Sequence, residues 1–213
     1  YTQNKLTLNA DNDINLNAAI HVNGSGTLAL NYGGTQGSSA TPATGSSINA
    51  SFGANGGFAG KVNFAQAGTG LLAINGNGYT VIKDVTALQA MSSNLAGKYV
   101  LGGDINASSV VNFAPIGSNS TRFTGTFDGL GHTISNLTIN RPDQDQVGLF
   151  GQARSATLRN MGLVAVNIKG RNFVGGLVGY QDGDSSIRNA YATGQVSGSN
   201  YVGGLVGSQW NSS

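Results

Sequence analysis

The sequence predicts an all-β protein whose successive repeats stack as the coils of a parallel β-solenoid. Of its 213 residues, 34 are Gly and 3 are Pro, only 9% are charged, and all nine acidic residues are Asp. A helical bundle would carry Glu, Lys and Ala on its solvent faces. Here short apolar runs are interrupted by Gly, Asn, Ser and Asp, a pattern typical of short strands joined by turns.

A repeat near the C-terminus is the second observation behind this prediction. The stretch Asn-Phe-Val-Gly-Gly-Leu-Val-Gly at 172–179 returns as Asn-Tyr-Val-Gly-Gly-Leu-Val-Gly at 200–207, which gives a period of 28. A degenerate copy lies at 146–151. A second element, at 157–160, recurs at 186–189 with an offset of 29. We expect the loops to absorb this difference of one residue.

A repeat of this length cannot bury its own apolar side, so it must stack on its neighbours. Propeller blades need ~40–50 residues each, whereas one coil of a solenoid fits the observed period. Stacking at the ~4.8 Å strand spacing aligns like residues of successive repeats in inward columns. The register predicts two such columns: Leu149, Leu177 and Leu205 in one, and Phe150, Val178 and Val206 in the other.

Less regular strands precede the repeats. Residues 12–22 alternate apolar and polar side chains, as in a half-buried strand. Shorter apolar segments follow at 27–32, 60–65 and 71–75. Residues 33–57, with many Gly, Ser and Thr, are interpreted as a long loop.

One short helix is predicted over residues 84–96. Asp84 or Thr86 can act as its N-cap, and Gly97 is expected to end it. Its apolar face would be formed by Leu88, Met91 and Leu95.

Charge and residue usage exclude several classes of function. The net charge of +2, with a pI near 9.0, is far weaker than the dense basic stripe of a nucleic-acid-binding protein. With no Cys, the chain has neither disulfides nor a Cys-ligated metal. No apolar run approaches the ~18 residues of a membrane span. Tyr1 is not an initiator Met, so we expect a processed piece of a longer protein.

The sequence predicts no catalytic, cofactor or metal site. Its two histidines, His21 and His132, have no second His or carboxylate at metal-ligand spacing. Asp128, in a Gly-flanked turn before His132, forms either an acid–base pair with it or a turn in which Asp accepts backbone N–H bonds. Asp182 and Asp184 hold Ca²⁺ through oxygen ligands or belong to a solvated loop.

Basic and aromatic side chains recur in the repeats. Arg159 and Arg188 occupy matching positions, so in-register stacking would bring them together on one flank. Such a flank is either a groove for sulfated or acidic glycans or a solvated face. The candidate contacts to a glycan or partner are Arg159, Arg188, Lys169, Arg171, Tyr180 and Tyr191.

Several segments resemble a known family. Residues 123–139, Phe-Thr-Gly-Thr-Phe-Asp-Gly-Leu-Gly-His-Thr-Ile-Ser-Asn-Leu-Thr-Ile, followed by the Gly-Leu-Phe-Gly and Gly-Gly-Leu-Val-Gly copies, resemble the GLUG-motif arrays of bacterial surface exoproteins. Residues 79–117 are similar to the lead-in of those arrays. Residues 6–16 resemble repeats of filamentous-haemagglutinin-type adhesins, which are secreted by the two-partner route.

This resemblance implies a right-handed parallel β-helix within a long extracellular fibre. The implied segments are haemagglutinin-like coils at 1–80, the lead-in with its short helix at 81–122, and GLUG-repeat coils at 123–213. The implied function is adhesion of a secreted or cell-surface bacterial protein to a host-cell receptor, other bacteria or biofilm matrix polysaccharide. An outer-membrane transporter would be a partner during secretion.

Other functions stay open at this point. GLUG repeats also flank the catalytic domain of immunoglobulin-A-cleaving metallopeptidases, but this chain, without Glu, has no His-Glu-x-x-His. A carbohydrate-active β-helix enzyme would need three or more acidic or basic groups converging on one face. A module that captures a host protein or haem would need an extruded loop, for which 33–57 is the candidate. We predict a binding segment without enzymatic activity.

Overall fold

Short β-strands dominate the protein. The structure, a computed structural model, describes residues 5–33, 46–53, 57–65 and 70–210. Within these ranges the protein is all-β with one short helix, as the sequence predicts. Nearly all of its strand pairs are parallel, so most strands pair with a strand that is not their direct neighbour in the chain.

The N-terminal half passes through three strands and then repeats them. Its described strands are β1 (Lys5–Ala10), β2 (Ile14–Leu16), β3 (Ala19–Val22), β4 (Thr27–Tyr32), β5 (Ile48–Ala50), β6 (Lys61–Phe64) and β7 (Leu71–Ile74). In parallel, β1 pairs with β4, β2 with β5, and β3 with β6, while β4 pairs onward with β7. Equivalent strands therefore lie side by side.

Two expectations for this half need correction. The strand predicted at 12–22 is two strands, β2 and β3, because the chain turns at 17–18, where both side chains are exposed. The loop predicted at 33–57 contains β5, whose pairing with β2 supplies partners for its backbone. Residues 34–45 and 54–56 of that loop lie outside the described ranges.

A tight hairpin reverses the strand direction between the two halves. β8 (Asn77–Ile82) pairs antiparallel with β7, and Asn75 and Gly76 between them have φ values of 48° and 73°. Asn-Gly favours this turn because both residues tolerate positive φ. β9 (Lys98–Leu101) then pairs in parallel with β8.

The predicted helix is present but shorter than expected. Helix α1 spans Val85–Ala90 and continues as a 3₁₀ turn at Met91–Ser93. The Asp84 carboxylate accepts the N–H of Ala87 at 2.7 Å, which confirms it as the N-cap. Ser and Asn residues follow Met91, and such residues bond to nearby backbone and weaken a helix interior. In the described ranges, a helix with the length and hydropathy of a membrane span is not found.

The C-terminal half stacks its repeats in register. Its described strands are β10 (Ile105–Asn106), β11 (Thr126–Ser135), β12 (Thr138–Asn140), β13 (Phe150–Arg154), β14 (Thr157–Lys169), β15 (Asn172–Gly175), β16 (Val178–Asp182), β17 (Ser186–Ser197), β18 (Asn200–Gly203) and β19 (Val206–Trp210). In parallel, β9, β11, β14 and β17 pair in succession, as do β13, β16 and β19.

The predicted columns are confirmed by this register. Val178 is the direct partner of Phe150 on one side and of Val206 on the other. Leu177 is fully buried, and its N–H donates to the carbonyl of Leu205 at 2.9 Å. Gly176 permits this approach, because a Cβ there would lie 2.5 Å from the carbonyl oxygen of Gly204.

The difference of one residue between repeats is absorbed inside a strand, not in the loops as expected. Leu163 pairs with Ala192 and Val166 pairs with Gly194, so the offset between partners falls from 29 to 28 along β14. Between them Ala165 has a φ of 54° and bends β14 as a bulge. A bulge leaves one residue unpaired and keeps its neighbours in register.

One continuous sheet separates two apolar cores. It runs β1-β4-β7-β8-β9-β11-β14. In β9, Tyr99 and Leu101 point into the C-terminal core, whereas Val100 between them points into the N-terminal core. Successive strand residues face opposite sides of a sheet, so at β9 the sheet has one core on each face and joins the two halves.

Leu177→Ala and Leu205→Ala test the stacked core as a matched pair. The first removes a fully buried side chain and should cost about 2–5 kcal/mol of unfolding free energy, and the second, at a partly buried position, should cost clearly less. Urea denaturation followed by circular dichroism measures both. Equal losses, or a negligible loss for Leu177→Ala, would contradict the described packing.

Candidate functional site

The six candidate contact residues lie in different surroundings. Lys169, Arg171 and Arg188 are exposed, and Tyr180 and Tyr191 are partly buried. Arg159 is paired with Arg188 in the strand register but is only 7% exposed. Arg159 is therefore an interior residue rather than part of an exposed flank, because the N-terminal half covers it.

Arg159 is held by a buried ion pair. Its Nε donates to Asp128 Oδ2 at 2.7 Å, and Asp128 is fully buried. Its Nη1 donates to the Ser47 hydroxyl at 3.0 Å, and its guanidinium lies 5.8 Å from the centre of the Tyr32 ring. Burial acts to lower the pKa of Arg159, but Asp128 and Tyr32 outweigh it and raise the pKa above its ordinary value. The guanidinium therefore stays charged.

Asn160 connects the same site to the edge of β5. Its Nδ2 donates to the carbonyl of Ile48 at 2.8 Å, and its Oδ1 accepts the N–H of Ala50 at 3.1 Å. The Asn160 amide thus pairs with β5 as a neighbouring strand would. We call the group Tyr32, Ser47, Asp128, Arg159 and Asn160 the polar junction, since it joins the two halves of the protein.

Sequence reasoning missed most of the polar junction. Partners such as Tyr32 and Arg159 are 127 residues apart, and no local pattern brings them together. One signal was available: Asn recurs at 160 and 189 in successive repeats. Both residues have positive φ, of 54° and 49°, a conformation that Asn tolerates better than most residues.

Asp128 and His132 do not form an acid–base pair with each other. Asp128 accepts the N–H of Leu130 at 2.9 Å, as the turn interpretation predicts, while its second oxygen binds Arg159. His132 is buried, with Nδ1 3.2 Å from Asp104 and Nε2 2.9 Å from the carbonyl oxygen of Val62. Each side chain is thus engaged with a different part of the fold.

Asp104 collects several donors on its carboxylate. Lys61 Nζ lies 2.9 Å from Oδ2, and the N–H of Thr133 donates to Oδ1 at 2.8 Å. Partial burial acts to raise the pKa of Asp104, but hydrogen bonds from His132, Lys61 and Thr133 outweigh it. The pKa of Asp104 therefore lies below its ordinary value, and the carboxylate is ionised in the folded protein.

Arg171 and Tyr180 lie near an aromatic cluster on the outer surface. Arg171 forms a bidentate ion pair with Asp145, in which Nε lies 2.7 Å from Oδ1 and Nη2 lies 2.8 Å from Oδ2. The Tyr180 ring lies edge-on to Phe173, with 5.5 Å between centroids. Tyr191 is elsewhere, 5.9 Å from the ring of Phe58 in the N-terminal half.

The calcium alternative for Asp182 and Asp184 gains no support from their surroundings. Asp182 is directed toward Gln152, whose Nε2 lies 3.3 Å from Oδ2, and toward Arg122, whose cation lies 4.0 Å away. A guanidinium beside the carboxylate disfavours a metal cation. In the described ranges no three His or Asp side chains lie close enough together to hold a metal.

Breaking the polar junction should destabilise the protein strongly. Asp128→Asn leaves the Arg159 charge buried without its counter-ion, which should cost about 3–5 kcal/mol in urea denaturation. The double variant Asp128→Leu/Arg159→Met removes both charges and should lose much less. Asp145→Asn, which breaks the exposed pair with Arg171, is the control and should change stability little. A small effect of Asp128→Asn would show that the junction does not hold the halves together.

The Asp104 cluster predicts a dependence of stability on pH. The pKa of Asp104 is lower in the folded protein than its ordinary value of ~3.9. The ionised carboxylate therefore contributes its full stabilisation of the fold at a pH above that ordinary value. This contribution is lost as the pH falls from there through the folded-state value. Asp104→Asn should therefore lower Tm at about pH 6, and the difference from the wild type should shrink below about pH 4.

Thermal unfolding followed by circular dichroism at both pH values measures this difference. Asp184→Asn, at an exposed turn position, is the matched control and should leave Tm nearly unchanged at either pH. A Tm difference for Asp104→Asn that grows on acidification would have the wrong sign and would contradict the assignment.

Comparison with curated proteins finds two relatives among its matches. Over 153 residues the chain is 37% identical to halomucin of Haloquadratum walsbyi, covering 62% of this chain and 2% of that protein. Over 69 residues it is 38% identical to a putative Gly-rich membrane protein of Evansella cellulosilytica, covering 30% of this chain and 8% of that protein. The chain thus spans only a small part of these relatives. No solved structure matches it.

A protein family also matches the chain. Its description is "M26 IgA1-specific Metallo-endopeptidase N-terminal region", and it covers residues 72–194, which is more than half of the chain. The match includes β8 to β16 and most of β17. It therefore contains the second strand of the hairpin, the short helix and the stacked repeats. The residues described do not fit the metal of a metallo-endopeptidase, since none of their carboxylates and imidazoles converge in threes. The chain belongs to the family of M26 IgA1-specific metallo-endopeptidase N-terminal regions.

Proposed function

We propose that this chain is a stiff, non-catalytic binding segment of a secreted or cell-surface bacterial adhesin, wound as a right-handed parallel β-helix of the GLUG and filamentous-haemagglutinin type. One observation carries the proposal: successive repeats lie side by side in parallel, with Phe150, Val178 and Val206 in one register. An outer-membrane transporter of the two-partner route would be its partner during secretion.

Stacking of this kind supports a mechanical role. Each repeat offers its backbone N–H and C=O groups to the next repeat, so that stiffness does not require disulfides. Asn side chains bond to one another across neighbouring repeats, as Asn200 does to Asn172 at 2.8 Å and Asn31 to Asn9 at 2.8 Å. These Asn pairs place polar, uncharged side chains on the surface, which suits many weak contacts along a fibre.

The relatives support a location at the cell surface and a role outside catalysis. The family description refers to an N-terminal region rather than to a peptidase domain, and one relative is named a membrane protein. Of the predicted contacts, Arg188, Lys169, Arg171, Tyr180 and Tyr191 remain available to a host-cell receptor, another bacterium or matrix polysaccharide. No observation favours a carbohydrate-active enzyme, and the capture loop at 33–57 lies largely outside the described ranges.

Beads coated with the 213-residue chain test adhesion. They should bind to epithelial cells, to bacterial cells or to immobilised biofilm polysaccharide. Because the coating is multivalent, the free chain should compete only at concentrations about 100-fold or more above those of the displayed chain. Beads that carry Leu177→Asp, which buries a charge in the core, are the unfolded control.

The adhesin proposal would be contradicted if beads with the folded chain and beads with the unfolded variant were retained equally. It would also be contradicted if the beads bound to none of the three surfaces. Release of reducing ends from the polysaccharide would instead establish an enzyme.

A further inference from the structure

An open groove crosses the outer surface beside the first stacked repeats. It has a volume of about 580 Å³ and lies between the 118–120 turn, the 144–146 segment and the ring of Phe173. We propose that this groove binds a neutral oligosaccharide. The inference rests on the proposed function, since it names the class of ligand that an adhesive segment would take at this place.

The lining offers hydrogen-bond donors and acceptors in both directions. Asn119, Gln144 and Gln146 contribute amides, and Ser118 and Ser120 contribute hydroxyls that lie 3.2 Å apart. Each amide both donates and accepts, as does each hydroxyl. Sugar hydroxyls have the same dual capacity, so a sugar can form hydrogen bonds with these side chains, whereas an apolar ligand cannot.

The charge of the groove favours an uncharged ligand. Asp145 is the one ionisable residue of its lining, and Arg171 binds both of its oxygens at 2.7 and 2.8 Å. The hydrogen bond from Arg171 holds the pKa of Asp145 below its ordinary value, so the two opposite charges persist side by side. Their sum is zero, which suits neither a sulfated glycan nor a nucleic acid, since both need excess positive charge.

The ring of Phe173 forms one wall of the groove, and an aromatic stack extends from it. The rings of Phe173 and Tyr201 are parallel within 5°, with centroids 4.8 Å apart, and Tyr180 lies edge-on to Phe173. Tyr201 is 63% exposed, so much of this surface is open to solvent. Flat aromatic surface beside polar side chains suits a pyranose ring, whose C–H face is apolar while its edge carries hydroxyls.

The backbone beneath this stack is strained. Gln146, Phe173 and Tyr201 follow one another in neighbouring repeats with φ values of 58°, 56° and 55°. Such φ values are uncommon for bulky residues and cost free energy, whereas Asn adopts them readily, as at 160 and 189. Aromatic rings at these positions therefore oppose the local backbone preference, and a ligand-binding surface explains their presence.

Phe173→Asn separates binding from folding. It removes the ring and installs a residue that tolerates the local φ, so Tm should stay within about 4 °C of the wild type. Asn119→Ala, at an exposed position, is a second groove variant. Phe52→Ala is the matched control, because Phe52 is also an exposed aromatic residue but stacks on Phe58, away from the groove.

Titration of the full chain with chitopentaose, cellopentaose, maltopentaose and a heparin hexasaccharide, followed by NMR of the Asn and Gln side-chain amides, tests the proposal. At least one neutral sugar should shift the amides of Asn119, Gln144 and Gln146, with a dissociation constant of about 1 mM or lower. Binding should weaken about tenfold or more in Phe173→Asn, be reduced in Asn119→Ala and be unchanged in Phe52→Ala.

Three results would overturn the proposal: no shift with any neutral sugar up to about 10 mM, binding of heparin alone, or equal binding by Phe173→Asn. If the groove fails while coated beads still adhere, the adhesin proposal stands and contact lies elsewhere. If neutral sugars bind in the groove but beads do not adhere, the groove proposal stands and the adhesin proposal fails.

Discussion

Backbone pairing between successive repeats is the constraint on which the rest of this structure depends. A single repeat is too short to enclose a core, so its N–H and C=O groups and its apolar face must both be satisfied by a neighbour. The Gly-Gly-Leu-Val-Gly motif meets both needs at once. Leu177 and Val178 fill the interior, while Gly176 lets the next repeat approach without a Cβ in the way. The Gly-Gly-Leu-Val-Gly motif and the regular length of the repeat thus both follow from the need of each repeat to contact the next one.

The two halves are joined by a sheet that has a core on each face at β9, a more demanding arrangement than a simple row of repeats. Because strand direction reverses at Asn75 and Gly76, the N-terminal half packs on the opposite face of the shared sheet from the C-terminal core. Polar groups at this contact cannot reach water, so they must find partners within the protein. Asp128, Arg159 and Asn160 do so, by pairing with one another and with Ser47, Ile48 and Ala50.

The sequence predicted what depends on local pattern and missed what depends on distant contacts. The all-β class, the inward columns and the N-cap at Asp84 follow from periodicity and capping preference, and all were correct. The Asn75–Gly76 hairpin has a known local signature and could have been predicted. The burial of Arg159 could not, since Ser47, which helps to cover it, precedes it by 112 positions. The groove was missed for a related reason: the chain segments that border it are distant in sequence, although the Phe173 and Tyr201 repeat was visible.

The bulge at Ala165 has a consequence for how such a protein can evolve. Since a single residue of positive φ takes up the difference between the two spacings of the repeat, every inward side chain keeps its place whichever spacing applies. Unequal recombination between gene segments of slightly different length would then still encode a chain that folds. Such a gene could lengthen or shorten its product in whole units without redesigning its interior.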